Sequence, residues 1–191
     1  LDKIVLEKLG VESEGKAELS VWKEFVRPHK NPKSKIKIGL IGKYIELKDS
    51  YKSIVEAFIH AGAENEVKVE LTWIQSENID ASNVADKLKG LKGILVAPGF
   101  GERGIEGKIE AIKHARENNI PFLGICLGMQ CAVVEYARNV LGHADAHTTE
   151  INENTGNPVI DIMESQKEVT AKGGTMRLGA YNCEIKPDSK A

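Results

Sequence analysis

The stretch Ile120-Pro121-Phe122-Leu123-Gly124-Ile125-Cys126-Leu127-Gly128-Met129-Gln130 decides how this chain reads. Its first half, 120–126, is an apolar run of strand length. Its second half opens a stripe that predicts a long helix over 127–141. A buried strand that turns into a helix across Gly-x-Cys-x-Gly is the cysteine form of a nucleophile elbow. The reason is steric: the nucleophile sits on a sharp, strained turn, and only glycine on either side lets neighbouring backbone approach. Cys126 would then stand at a helix N-terminus, where the dipole and free N–H groups favour a thiolate. The N–H of Leu127 would point to where an oxyanion develops. The competing reading makes Cys126 a small buried hydrophobe, as free cysteines commonly are.

The same alternation of strand and helix fills the chain ahead of the elbow. Strands are predicted at 36–42, 67–74 and 91–97. A helix capped by Asp49 carries Ile54, Val55, Phe58 and Ile59 on one stripe and ends near Gly62. A short helix runs from a Ser82 cap to Leu88, and Ile105, Ile109, Ile112 and Ala115 mark another. Strands buried on both faces and alternating with helices indicate an α/β domain around a mainly parallel sheet. Beyond Gly142 the pattern weakens, with strands expected at 158–163 and 176–185. Ahead of Ile36, residues 1–27 read as helical pieces with stripes Ile4/Val5/Leu9 and Leu19/Trp22/Phe25/Val26. Pro28 is expected to end the second piece, and 28–35 to be a polar linker at a domain boundary.

Composition narrows the function classes. The 191 residues are 41% hydrophobic and 28% charged, the balance of a globular protein rather than a disordered one. With 26 basic and 28 acidic residues the formal net charge is -2, and no basic run is interleaved with aromatics, so neither nucleic acid nor membrane is expected as a partner. The three cysteines form no C-x-x-C pair and argue against both a disulfide framework and a structural zinc site; no metal role is assigned. There is no signal peptide and no membrane-length apolar run, which points to the cytoplasm. A start at Leu1 rather than Met and a polar end read as a piece of a longer protein.

A second glycine-rich loop, Ala97-Pro98-Gly99-Phe100-Gly101-Glu102-Arg103-Gly104, follows a predicted strand. In an open parallel sheet, ligands bind beyond the carboxyl ends of the strands, where this loop and the elbow both lie. Cys131 and Cys183 read as packing residues, the latter in a strand. A base for the thiol is less evident. His29 falls in the linker, His60 and His114 on charged helices, and His143 and His147 flank Asp145 in an ordinary-looking loop.

Placed in order, these motifs resemble the glutamine amidotransferase domain of the CTP synthases, a class I, triad-type amidotransferase. The likeness is carried by Gly42-Lys43-Tyr44, by Asp49 to Ser53, by Gly99 to Ile109, by Ala115 to Gln130, by Glu135 to Val140, by Thr148-Thr149-Glu150 and by Gly173 to Gly179. It implies a three-layer, flavodoxin-like α/β sandwich with a mostly parallel central sheet. It implies that residues 1–35 are the tail of a synthetase domain and a linker, and that 36–191 are an amidotransferase domain without its C-terminal part. In this resemblance Cys126 attacks the carboxamide of L-glutamine and forms a thioester. Gly99 and Leu127 supply oxyanion donors, Gly128, Met129 and Gln130 line the substrate, and Glu150 pairs with the substrate ammonium. The ammonia aminates ATP-activated UTP to CTP in the synthetase domain. ATP and Mg2+ belong to that domain, GTP is an allosteric activator to which the loop around Arg103 contributes, and the full-length protein is a homo-oligomer, dimer or tetramer. The chain departs from the family in carrying Pro98 where many members have glycine, and in lacking the Phe-His-Pro-Glu segment that completes the triad. Two rivals remain: a Cys-elbow amidotransferase serving another synthetase, and a non-catalytic glutamine-binding subunit.

Overall fold

A computed structural model of the chain describes residues 2–12, 15, 18–163, 166, 180 and 182–189. Helices α1 (Asp2–Leu9) and α2 (Ser20–Lys30) precede β1 (Ser34–Gly42), α3 (Lys52–Glu64), β2 (Val67–Gln75), α4 (Val84–Leu88), β3 (Gly93–Val96), α5 (Ile105–Glu117), β4 (Phe122–Gly124) and α6 (Leu127–Asn139). Two short strands follow, β5 (His147–Thr148) and β6 (Pro158–Ile160).

The central sheet is parallel throughout, in the order β2-β1-β3-β4. That is the flavodoxin-like order, which reverses between β1 and β3 and opens a crevice at their carboxyl ends. Strand alternation separates two cores. Leu40, Leu95 and Ala97 pack with Tyr51, Ile54 and Phe58 on the α3 face. Ile41, Ile94 and Val96 pack with Val84, Ile105, Ile109, Leu127 and Val134 on the face covered by α4, α5 and α6. Helices on both faces of one parallel sheet make three layers. α5 and α6 are clamped together by Arg116, which grips the buried Glu135 with Nε at 3.1 Å and Nη2 at 2.8 Å.

Several local expectations are corrected. Pro28 lies inside α2 instead of ending it, because the Asn31 N–H still reaches Arg27 O at 3.0 Å and the Phe25 ring packs, tilted, against His60 of α3 with centroids 4.9 Å apart. With β1 beginning at Ser34, no irregular stretch of the expected length 28–35 exists. The apolar stripe of α1 is exposed. Asp49 does not cap α3: it sits in a 3-10 turn, Lys48–Tyr51, and the α-helix begins at Lys52. Ser82 does not cap α4 either, since its hydroxyl is held by Asp80 at 2.5 Å and Asn83 occupies the cap. β3 and β4 are shorter than expected. Among the described residues β4 stands at the edge of the sheet, and its Phe122 and Leu123 are exposed, so not every strand is buried on both faces. Most of the strand expected at 176–185 lies outside the described residues, and its described part, 182–185, is not in a strand.

Candidate active site

The chain turns at Cys126, which stands at φ 53° and ψ -112° as the residue before α6. A side-chain-bearing residue reaches such a conformation only where the surroundings enforce it. Here they do. The Ile125 N–H is bonded to Val96 O at 3.1 Å, at the end of β3. The Cys126 carbonyl is turned into α6, where it accepts from Met129 N at 3.0 Å and Gln130 N at 3.1 Å. The flanking glycines are sterically required: a Cβ on Gly124 would meet Gly128 C and Met129 N at 2.6 Å, and one on Gly128 would meet Val96 O at 2.1 Å. The thiol itself is exposed.

The other residues singled out in the sequence are arranged around this turn as follows. Leu127 and Gly128 are buried, Gln130 is half-buried and Met129 is exposed. The N–H groups of Leu127 and Gly99 donate to no described residue, which leaves two donors open where β3 and β4 end. Gly99 is packed close to the elbow, its hypothetical Cβ lying 3.7 Å from Leu127 Cδ2. Glu150 lies in the turn after β5, on a two-stranded ribbon packed against α6. Its N–H is bonded to Thr148 Oγ1 at 3.3 Å, and its carboxylate has no hydrogen bond or ion pair among the described residues. No hydrogen bond joins Glu150 to the elbow.

No hydrogen bond joins any of the five histidines to Cys126. His147 is buried in β5 with Nδ1 accepting from Thr148 N at 2.9 Å; burial, then Arg138, holds its pKa below the usual value, while Glu106 and Glu102 oppose the shift. His29 and His60 lie against Phe25. His114 meets Asn118, and His143 faces Asp145. Among the thiols, Cys131 is buried, as expected, and burial pushes it up to about 11. Cys183 is exposed and outside any strand, so its packing role is corrected.

Two residues with no role in the sequence reading stand behind the loop 97–101. Lys43, just after β1, is bonded through Nζ to the carbonyls of Phe100 and Gly101. Lys108 of α5 is fully buried and donates to Ala97 O at 3.1 Å. Helical spacing held the signal for Lys108: it shares the face of Ile105, Ile109 and Ile112. Nearer the surface, Arg103 pairs with Glu77 at 2.7 Å and lies over Tyr44. Among the described residues no group of His, Cys, Asp and Glu is placed to hold a metal ion, and no helix is long and apolar enough to cross a membrane. A cavity of about 550 Å³ lies away from the elbow, bounded by α2, α3 and β2.

The chain is 61% identical over its full length to a CTP synthase of Flavobacterium psychrophilum and 62% identical to one of Cytophaga hutchinsonii. It covers 36% and 35% of those proteins, about a third of their length. The solved glutaminase domain of Trypanosoma brucei CTPS with bound acivicin matches the fold with a TM-score of 0.65 at 38% identity, over 69% of this chain and 52% of that one. Residues 46–190 match the family model of the class-I glutamine amidotransferases, and with a strained, glycine-flanked cysteine at the carboxyl end of its parallel sheet the chain belongs to that family.

Proposed function

We propose that this chain is the glutaminase part of a CTP synthase, a ligase, with residues 1–35 as the tail of a synthetase domain and its linker and 36–191 as the amidotransferase domain. The observation that carries the proposal is the Cys126 turn, whose backbone angles and bare glycine neighbours aim an exposed thiol from a helix N-terminus. The likeness to CTP synthases over the whole chain supports the choice of synthetase.

In this mechanism the Cys126 thiolate attacks the side-chain carboxamide carbon of L-glutamine. The carbonyl oxygen becomes an oxyanion between the N–H groups of Gly99 and Leu127. Pro98 has no N–H, so Gly99 is the first possible donor of its loop. The C–N bond then breaks, the nitrogen takes up a proton, and ammonia leaves a glutamyl thioester on Cys126. Water cleaves that thioester, releasing glutamate and regenerating the thiolate. Gln130 lies one turn beyond Cys126 on the same helix face and contacts the substrate, while Glu150 pairs with its ammonium group. The ammonia passes to the synthetase domain, which holds ATP and Mg2+ and aminates UTP in the cytoplasm. GTP acts as activator near Arg103, and the full-length protein assembles as a homo-oligomer.

A glutamine-mimicking electrophile such as acivicin tests the proposal. It should label Cys126 first at neutral pH, Cys183 slowly and Cys131 not at all, as read by peptide mass mapping. Equal labelling of Cys126 and Cys183 would remove the nucleophile assignment. CTP formation on adding a synthetase domain separates this reading from an amidotransferase serving another synthetase.

A further inference from the structure

The two lysines behind the oxyanion loop have no part in the steps above, yet they are the most deeply buried cations of the site. Lys108 is 0% exposed and Lys43 5%. A buried ammonium is costly unless it is paired. Neither forms an ion pair with a carboxylate among the described residues; both are held only by loop carbonyls, Ala97 O for Lys108, Phe100 O and Gly101 O for Lys43. The Lys108 Nζ lies 3.8 Å from where a Cβ on Gly99 would be, beside the oxyanion donor.

Few titratable groups act on the charge of Lys108: Cys131 of α6 and Cys126 at the elbow favour it, and Lys43 at the end of β1 opposes it. On Lys43 act Arg103 and Glu77, which are paired to each other, and Cys131. Cys131 also faces Glu106 and Arg138, likewise paired. Burial holds both lysines below the usual ammonium range, with Lys43 adding to the effect on Lys108 and Arg103 to that on Lys43. Cys131 cannot supply a counter-anion near neutrality, because its thiol is pushed up to about 11. Within this group, that leaves an anion formed at Cys126 or on the oxygen held by Gly99.

We infer that Lys108, seconded by Lys43, is a positioning residue that supplies the buried counter-charge for the anion formed at the Cys126–Gly99 site. The inference rests on the reading of Cys126 as nucleophile. Its physical content is reciprocal: when Cys126 gives its proton to solvent, the new thiolate stabilises the ammonium, and the ammonium lowers the pH at which the thiolate forms. A lysine that only clamps the loop would leave that pH unchanged.

The test is the pH profile of Cys126 alkylation by iodoacetamide in the full chain, compared between the native protein and Lys108→Met. Methionine keeps the volume and removes the charge, and replacing buried charge by apolar volume is often neutral or stabilising. The alkylation midpoint should rise by about one pH unit or more, the lower end of the shift from a nearby opposite charge, which slows alkylation about tenfold at neutral pH. An unchanged midpoint in the folded variant overturns the inference. Should the variant not fold, the native protein still decides. The rate ratio of iodoacetate to iodoacetamide should be higher at Cys126 than at exposed Cys183, because the anionic reagent is drawn to the ammonium; equal ratios overturn the inference. If Cys126 reacts no faster than Cys183 at any pH, the nucleophile reading itself fails, an outcome distinct from a reactive Cys126 indifferent to Lys108.

Discussion

The carbonyl oxygen of Val96 lies 2.1 Å from the position a Cβ on Gly128 would occupy, so the end of β3 and the first turn of α6 meet through bare backbone. The same carbonyl accepts the Ile125 N–H at 3.1 Å, one residue before the nucleophile. The elbow is therefore set from both sides by one atom of the neighbouring strand.

Gly128→Ala should force that contact open. The neighbouring group is backbone and cannot rotate away, so α6 must shift. Overpacking of this kind costs about 1–3 kcal/mol, and the shift moves the Leu127 N–H off the oxyanion position. A lowered thermal midpoint together with slower labelling of Cys126 by the glutamine-like electrophile is expected. Full labelling in a stable Gly128→Ala protein would show that the elbow tolerates the methyl.

Glu150→Ala should weaken glutamine binding by about 1.5–3 kcal/mol, the range for hydrogen bonds to charged groups. Because the carboxylate has no partner among the described residues, its loss should leave the fold and the reaction of Cys126 with a small neutral alkylator nearly unchanged. A parallel fall in both reactions would assign Glu150 to the fold rather than to the substrate.

His147 gives stability a pH dependence whose sign is fixed. Its folded pKa lies below the unfolded value, through burial and then Arg138, so between the two the unfolded chain binds more protons. Stability from this residue is present above the unfolded pKa of about 6.5 and falls as pH drops toward the folded value. Urea midpoints taken across that window should decline on acidification, and His147→Gln should flatten the slope. A slope unaltered by the substitution would locate the proton uptake elsewhere.

With none of the five histidines hydrogen-bonded to Cys126, the chain should turn over glutamine poorly. Proton transfer by a positioned side chain contributes about 10²–10⁴-fold. Extension with the family's Phe-His-Pro-Glu segment should raise glutamate release by a factor in that range, and Cys126→Ser in the longer form should abolish it. Equal rates with and without the extension would place the base within these 191 residues, His147 being the first to substitute.

The elbow was legible in the sequence because its requirement is local: a strained turn needs glycine on both sides of the nucleophile, and Gly124 and Gly128 announce it. The parallel α/β architecture was legible because apolar runs of strand length alternate with helical stripes, a pattern that barely depends on what packs where. The caps assigned to Asp49 and Ser82 failed because a polar side chain takes whichever partner folding brings near: for Ser82 that partner is Asp80, and Asp49 is taken into a 3-10 turn. The helix through Pro28 and the exposed face of β4 are likewise set by neighbours, α3 in one case and the strand's edge position in the other. Lys43 and Lys108 lie 65 residues apart in the sequence, and neither has a role in the sequence reading. Only the sheet order, which brings the ends of β1 and β3 side by side, buries both against one loop, because the burial of a charge is a property of the space around it and not of the residues beside it in the chain.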